Sequence, residues 1–429
     1  MNLELLTSFN ILKKVYFDKA YANIELNKVL KSKQASINYG LVTKLVYGVL
    51  ERDIYLDYAI SPFVKPTTKP QIILLLKMGR YIKENINSIP DYALVNDIVN
   101  ISKKYGDKYV SGFVNATLKN IIKADVKLPK EGTIEYLSVK YSHPKWIIEE
   151  LLKTKDYDFV KKLLSHQLTT LTHIRVLDKF DDFLKDLDAD NIKYELTPLN
   201  NTLYVDYDAV LNDKYKRRFV PQGIPSIVCA LALQVKSNSL MLDATCAPGG
   251  KTAVVATDKT IKVTACDLYP HRVELIKRYM VSLKINNVDA IVQDATQYRD
   301  DWKEKYDFVL CDVPCSGTGI INKKPDILLN RSKEKLKEIT ETQYKILENN
   351  SKYVKKGGVL LYSTCSILDA ENGQVISRFL NNHNDFELTE INTCGIAVEN
   401  NNNMYTFYPH ISNTEGFFIG RLTKKWKFY

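Results

Sequence analysis

"LMLDATCAPGGKT", residues 240–252, decides the reading of the fold. Leu240 to Leu242 is a short apolar run that ends in an acid, Asp243. A tight turn through Pro248, Gly249 and Gly250 follows, and then the start of a helix. The same plan returns four times downstream, in "VTACDL" (263–268), "DAIVQDA" (289–295), "YDFVLCDV" (306–313) and "VLLYSTC" (359–365). Each apolar run gives way to a turn or to helical spacing. The helix opening at Pro270 is the clearest, with Val273, Ile276, Met280 and Leu283 on one stripe. Strands alternating with helices predict a parallel sheet covered on both faces, a Rossmann-like α/β domain over 236–429.

Upstream the pattern changes. From residue 1 to about 123 the apolar spacing is helical, as in Leu5, Phe9, Leu12, Val15 and then Leu41, Leu45, Val46, Val49. "QIILLLKMGRYIK" and "ALVNDIVNISKKY" extend one helical bundle, read as a domain over 1–127. The charged stretch "KADVKLPKEG" (123–132) reads as a linker. Over 133–235 a helix near "HPKWIIEELLKT", with Pro144 at its first turn, is joined by short strands in "THIRVLDKF" and "TLYVDYDAV". This is the pattern of a small α+β unit. "ENNNNM" (399–404) reads as a loop.

Composition limits the functions available. A chain of 429 residues is too long for one ordinary core. Its seven cysteines include no C-x-x-C pair, which points to reduced thiols in a cytoplasmic protein rather than a disulfide framework. The start "MNLELLTSFNILKK" lacks a basic, then apolar, export pattern, and no run reaches about 18 apolar residues, so no membrane partner is expected. Residues 1–127 carry 19 Lys and Arg against 11 Asp and Glu, most of the excess in a chain with 60 against 50. Such a module suits a polyanion such as nucleic acid. On charge alone, lysines that only solvate a helical surface remain the alternative.

Ligands of open α/β sheets bind beyond the carboxyl ends of the strands. Asp243, Asp267, Asp294 and Asp312 close four of these strands and are expected to line one crevice. Asp267 lies where a carboxylate grips a ribose diol. The glycine turn does not have the spacing of a phosphate-binding loop, and no basic cluster accompanies it, so an adenosine without phosphates fits best. Cys311 alternates away from the crevice and is expected in the core, together with Cys229, Cys266 and Cys394. With no His or further Cys at ligand spacing, Cys311 and Cys315 do not suggest a metal site.

"DATCAPGGKT", "CDLYPHR", "VQDAT", "FVLCDVPCSGTGIINKKPDI" and "LLYSTCSILDAEN", in this order, resemble the signature set of the bacterial Sun/Fmu (RsmB-type) family of 16S ribosomal RNA (cytosine-C5) methyltransferases. Upstream, "LVYGVLERDIYLDYAI", "IPDYALVNDIV" and "GFVNATLK" resemble that family's NusB-like helical domain. "YSHPKWIIEEL" and "FVPQGIPSIVCALAL" resemble its middle segment. The resemblance covers nearly the whole chain. It implies a class I methyltransferase that uses S-adenosyl-L-methionine on 16S ribosomal RNA at a cytosine of the 967 type. It further implies a monomeric cytoplasmic enzyme without a metal. Thr245, Cys246, Ala247, Pro248, Gly249, Gly250 and Lys251 would form the cofactor loop. Asp267 would hold the ribose, Asp294 the adenine edge, and Asp312 the boundary of cofactor and base. The chain departs from the family at Thr245 and Cys246, where Cys and Ala are usual. It also departs at Asn322 and Lys323, where an arginine is common, and at Gly223, where Asp follows the Gln.

Carbon 5 of cytosine is a poor nucleophile until a thiolate adds to carbon 6. The resemblance assigns that thiolate to Cys365, and Asp312 one strand over would take up charge at ring nitrogen 3. Cys315 would assist loss of the carbon 5 proton. The target base must be splayed out or flipped to be reached. The alternatives are the same chemistry on transfer RNA or another ribosomal RNA, and a non-catalytic NusB-like RNA-binding factor.

Overall fold

The computed structural model describes residues 2–31, 37–105 and 108–426. Met1, 32–36 and 106–107 of the expected helical domain, and 427–429 of the expected catalytic domain, lie outside the described residues. The chain forms two compact units, Met1–Ser165 with Ile321–Ser332, and His166–Ile320 with Lys333–Tyr429.

The first unit is helical: α1 (Leu3–Phe17), α2 (Ala22–Lys31), α3 (Tyr39–Glu51), α4 (Asp53–Ile60), α5 (Pro70–Asn85), α6 (Asp91–Ser102) and α7 (Lys108–Lys123), then α8 (Ile134–Tyr141), α9 (Lys145–Leu152) and α10 (Tyr157–Ser165). Asn2 and Asn38 cap α1 and α3, each accepting from the amide three residues on at 3.0 Å. The stripe of Leu5, Phe9, Leu12 and Val15 is buried with Leu45, Val46 and Val49, as the helical spacing predicts. Each such side chain contributes about 1.5–3 kcal/mol by leaving water. Helices α8 to α10, which the sequence reading joined to the middle strands, cluster here instead. The short Ile321–Ser332 segment belongs to this core as well. Its Asp326 is buried and accepts from the Ala22 amide at 3.3 Å, and Leu329 packs on the bundle core.

The second unit opens with a small antiparallel sheet. Its elements are β1 (Thr172–Val176), α11 (Phe180–Ala189), β2 (Tyr194–Leu196), β3 (Thr202–Val205) and β4 (Phe219–Pro221), in strand order β2-β3-β1-β4. After α12 (Ile224–Ala232) come β5 (Leu240–Asp243), α13 (Gly250–Val255), β6 (Lys262–Asp267), α14 (Pro270–Ser282), β7 (Val288–Val292), β8 (Tyr306–Asp312), α15 (Lys333–Ser351) and β9 (Val354–Thr364). These five strands are parallel, in order β7-β6-β5-β8-β9. The order reverses between β5 and β8, so a crevice opens beyond their carboxyl ends.

The remaining elements are α16 (Gly373–Asn382), β10 (Phe386–Leu388), β11 (Glu399–Asn401), β12 (Met404–Phe407) and β13 (Phe417–Lys424). Strand β13 pairs antiparallel with β9, and β12, β11 and β10 extend from it. The expected loop at 399–404 is therefore a tight hairpin. Asn402 and Asn403 both take positive φ, 51° and 64°, as a two-residue turn of this twist requires. Asparagine tolerates that conformation, so an asparagine run can make a turn as well as a loop.

Candidate active site

Two groups of side chains meet the carboxyl edge of the sheet. The first is built by the turn after β5. Asp243 is buried beneath it, accepting from Thr252 Oγ1 at 2.6 Å and from the Thr245 amide at 3.3 Å. Burial pushes its carboxyl up to about 6. It lines the crevice from beneath the loop, its two oxygens taken by these donors. Cys246 is also buried, its Sγ donating to Thr252 Oγ1 at 3.4 Å, and burial lifts its thiol well above the ordinary range. Gly249 has φ 107°, and a Cβ there would meet Met280 Cε at 2.7 Å, so only glycine fits.

Lys251, read from sequence as part of the cofactor loop, reaches across to Asp312. Its Nζ lies 2.6 Å from Asp312 Oδ2 and 5.1 Å from the centre of the Phe417 ring. Burial opposes the charge, but the Asp312 carboxylate wins and holds the ammonium above its usual range. Ser363 Oγ donates to Asp312 Oδ1 at 2.8 Å, and Thr245 Oγ1 donates to the Asp312 carbonyl at 2.9 Å. Thr245, Cys246, Ala247, Pro248, Gly250, Lys251 and Asp312 line one pocket, together with Gln222 and Gly223. Gln222 ties that pocket to the small sheet. Its Nε2 donates to the Gly250 carbonyl at 3.0 Å, and its Oε1 accepts from Arg175 Nε at 3.0 Å.

Asp267 and Asp294 stand at the ends of β6 and β7 but do not line that pocket. Asp267 is almost fully buried, paired with Arg272 at 3.2 Å and accepting from the Tyr269 amide at 3.4 Å. Asp294 accepts from the amide and hydroxyl of Thr296 at 2.9 and 2.7 Å.

The second group is the pair of thiols. Cys365 follows β9 and Cys315 follows β8, and their sulfurs are 2.7 Å apart, both half-buried and not joined as a disulfide. The hydrogen bond that its S–H gives to Cys365, and then burial, hold the Cys315 thiol well above the usual range, so Cys315 keeps its proton beside Cys365. Cys311 is fully buried, and its thiol is pushed up by burial, as alternation along β8 predicts. Cys229 and Cys266 are buried as well. Cys394, expected in the core, is only half-buried, at a turn with φ 57°.

The residue that the sequence reading missed is Glu371. Fully buried, it accepts from the Ser316 amide at 2.7 Å, from Ser366 Oγ at 2.5 Å, from Gln343 Nε2 at 3.0 Å and from Ser316 Oγ. It therefore locks the loop after Cys315 to the loop after Cys365. Its signal is the glutamate of "LDAEN" just after the Cys365 loop, whose burial only the fold reveals. The two loops also meet through backbone: Gly319 donates to the Cys365 carbonyl at 2.9 Å, and Gly416 donates to the Gly319 carbonyl at 2.8 Å. Among the described residues no group of three or more His, Cys, Asp or Glu is placed to hold a metal ion. No described helix is long and apolar enough to cross a membrane.

The 16S rRNA methyltransferase RsmB/F family matches residues 230–423, and the NusB family matches 4–123. The probable ribosomal RNA small subunit methyltransferase B of Bacillus subtilis (strain 168) is 33% identical over 427 residues, covering 95% of this chain and 96% of that one. Ribosomal RNA small subunit methyltransferase B of Photorhabdus laumondii is 29% identical, covering 90% of each. Among solved structures, PH0851 superposes with a TM-score of 0.83 at 22% identity over 99% of this chain and 100% of that one. NSun6 from Pyrococcus horikoshii, solved with SFG, gives 0.55 at 21% identity, over 70% of this chain and 99% of that one. A relative this similar along nearly its whole length, joined to the glycine loop and strand-end pattern described above, places the chain in the RsmB/F family of S-adenosylmethionine-dependent 16S rRNA methyltransferases.

Proposed function

We propose that this enzyme methylates carbon 5 of a cytosine in 16S ribosomal RNA, at a position of the cytosine-967 type, through a covalent bond between Cys365 and carbon 6 of the ring. The observation that carries this reading is the sulfur pair, Cys315 and Cys365 at 2.7 Å, just beyond the ends of β8 and β9 and near the Lys251–Asp312 ion pair at the end of β8. The residues around the glycine turn suit S-adenosylmethionine. Gly249 leaves its backbone open where a Cβ cannot stand, and the strand-end acids offer acceptors to a ribose and an adenine instead of cations to a phosphate. Thr245 to Lys251 would cradle it, with Asp267 toward the ribose diol and Asp294 toward the adenine. When bound, the cofactor supplies an electrophilic methyl group.

The chain's own residues do the rest. The Cys365 thiolate adds to carbon 6, and the electrons of the 5,6 double bond become available at carbon 5. Negative charge developing on the ring is met by the Lys251 ammonium, which Asp312 keeps protonated and in place. Asp312 thus acts through a fixed cation. Cys315 holds its proton while the neighbouring sulfur is a thiolate. Once Cys365 has become a thioether, its hydrogen bond and charge no longer hold the Cys315 proton, and only burial opposes its loss to solvent. The Cys315 thiolate then takes the proton from carbon 5, the 5,6 double bond re-forms, and Cys365 leaves as a thiolate.

The test is a mutant pair incubated with a 16S ribosomal RNA fragment and cofactor. Cys315→Ala should methylate once and stay attached to RNA, visible as a slow band on a denaturing gel. Cys365→Ala should give neither band nor 5-methylcytosine. A trapped band in Cys365→Ala, or normal turnover by Cys315→Ala, overturns the assignment. Bisulfite sequencing of the fragment, with transfer RNA as the competing substrate, checks the target.

A further inference from the structure

Of the strand-end acids, Asp294 is the one set toward the adenine of the cofactor, and its reach depends on where the loop after β7 stands. Oδ1 accepts from the amide and the hydroxyl of Thr296 at 2.9 and 2.7 Å, which orients the carboxylate, and no described residue donates to Oδ2. That oxygen is open to an amine. The start of the loop is registered on β6, because the Gln293 amide donates to the carbonyl of Asp267 at 3.1 Å. The acids proposed for ribose and adenine therefore keep a fixed spacing.

The rest of the loop is fastened from the last turns of α15. Asn349 and Asn350 are 5% and 2% exposed, and each donates from its side-chain amide to the carbonyl of Ala295, the residue after Asp294, at 2.9 Å. The two bonds take both lone pairs of that oxygen. Asn349 Nδ2 also donates to the Gln297 carbonyl at 3.1 Å, and Asn350 Nδ2 to the Ile346 carbonyl of its own helix at 2.8 Å. Further along, the Arg299 amide donates to the Tyr353 hydroxyl at 2.7 Å. The core around these bonds is apolar, with Trp302, Ile346, Leu347 and Tyr353 in it. Asparagine is a poor helix former and costs more to bury there than leucine, so two in succession mark a polar task.

We infer that Asn349 and Asn350 are positioning residues for the cofactor: by clamping the Ala295 carbonyl they set the open oxygen of Asp294 at the 6-amine of the adenine. This rests on the reading of Asp294 as the adenine-facing acid. The pair acts through the loop and through Asp294. A hydrogen bond to a carboxylate weakens steeply with distance and angle, so freeing that carbonyl costs recognition of the amine and not stability alone.

The experiment measures by calorimetry, on the full chain, the binding of S-adenosylhomocysteine and of its 6-deamino analogue, in which hydrogen replaces the amine. Wild type should prefer the amine-bearing compound by about tenfold or more, and Asp294→Ala should lose that preference. The double variant Asn349→Ala with Asn350→Ala should shrink the preference to below about threefold, while its affinity for the 6-deamino compound moves less than about twofold. A pair that only stabilises the fold would weaken both compounds alike and leave the ratio unchanged. Near-ultraviolet circular dichroism checks folding. If the double variant does not fold, the two single variants, each of which leaves one donor on Ala295, should each shrink the ratio at least about twofold. An unchanged ratio in the double variant, or in both single variants, overturns the inference. Wild type that binds both compounds alike, or Asp294→Ala that keeps the preference, overturns the adenine reading of Asp294 and the inference with it.

Discussion

At the end of β5, Asp243 is 1% exposed and held by hydroxyl and amide donors, and its carboxyl is pushed up to about 6 by burial. One strand over, at the end of β8, the side chain of Asp312 is 28% exposed and paired with a lysine at 2.6 Å. The residue type and the strand position are the same. The first carboxylate supports a loop at a cost in desolvation, and the second holds a cation in place at the edge of the crevice. Burial without a countercharge makes a structural acid, whereas burial with one makes an electrostatic device. The thiols repeat this contrast. Cys311 within β8 is sealed in the core, while Cys315 and Cys365 beyond the strand ends face each other.

The contrast can be broken most forcefully on the thiol side. Cys365→Ala should leave below about one-thousandth of wild-type turnover while folding normally, since the proposed nucleophile has no substitute. Turnover measured with labelled cofactor decides it, and appreciable product would move the chemistry elsewhere.

On the β5 side the expected effect is on stability. The folded-state value of Asp243, about 6, lies above the ordinary 3.8, so the folded protein binds the extra proton between those values. Its contribution is full at low pH and is lost as pH rises through about 6. Against Asp243→Asn, which cannot titrate, wild type should therefore lose about 2 kcal/mol between pH 4 and pH 7. Urea midpoints of both proteins at the two pH values give this difference, and a constant gap would show that Asp243 is not a buried acid.

Gly319→Ala sharpens the comparison by disturbing the thiol loop without touching a reacting atom. Its Cβ has only backbone to meet, so about 1–3 kcal/mol of overpacking should appear in the unfolding free energy, with turnover falling as the Cys315 loop shifts. An alanine variant as stable and active as wild type would mean that the loop gives way freely.

The smallest effect belongs to the helical unit. A groove between α6 and α7 is lined by Lys108, Lys119 and Lys123 with Asn96 and Asn115. If it carries phosphate contacts, Lys119→Ala and Lys123→Ala should each reduce the slope of log K against log salt by about 0.7–0.9. Cofactor affinity should not change. Unchanged slopes would leave these lysines as surface charge.

The parallel strands were legible because each is a local apolar run closed by a turn, and strand, turn and helix signals sit within a few neighbouring residues. The same holds for the helical stripes of α1 and α3, and for the burial of Cys311, which follows from alternation along a single strand. The C-terminal strands were not. Strands β10 to β12 have only three or four residues each, too few for a periodicity to show, and the hairpin depends on two asparagines in a conformation that their neighbours do not signal. The affiliation of α8 to α10 was also hidden, because an amphipathic helix records that one face is buried but not against what.

At the site, the sequence by itself determined which residues reach the carboxyl edge: the glycine turn, the strand-end acids and the two thiols. It did so because chain direction and strand period place them there whatever the rest of the fold does. Only the tertiary structure decided their partners. The register of β8 on β9, with Asp312 opposite Ser363, brings together sulfurs 50 residues apart. The crossing of Lys251 to Asp312 and the Glu371 lock are likewise contacts between distant segments. Each depends on strand order and loop packing, and those arise from the burial of the whole sheet, which no local stretch of sequence contains.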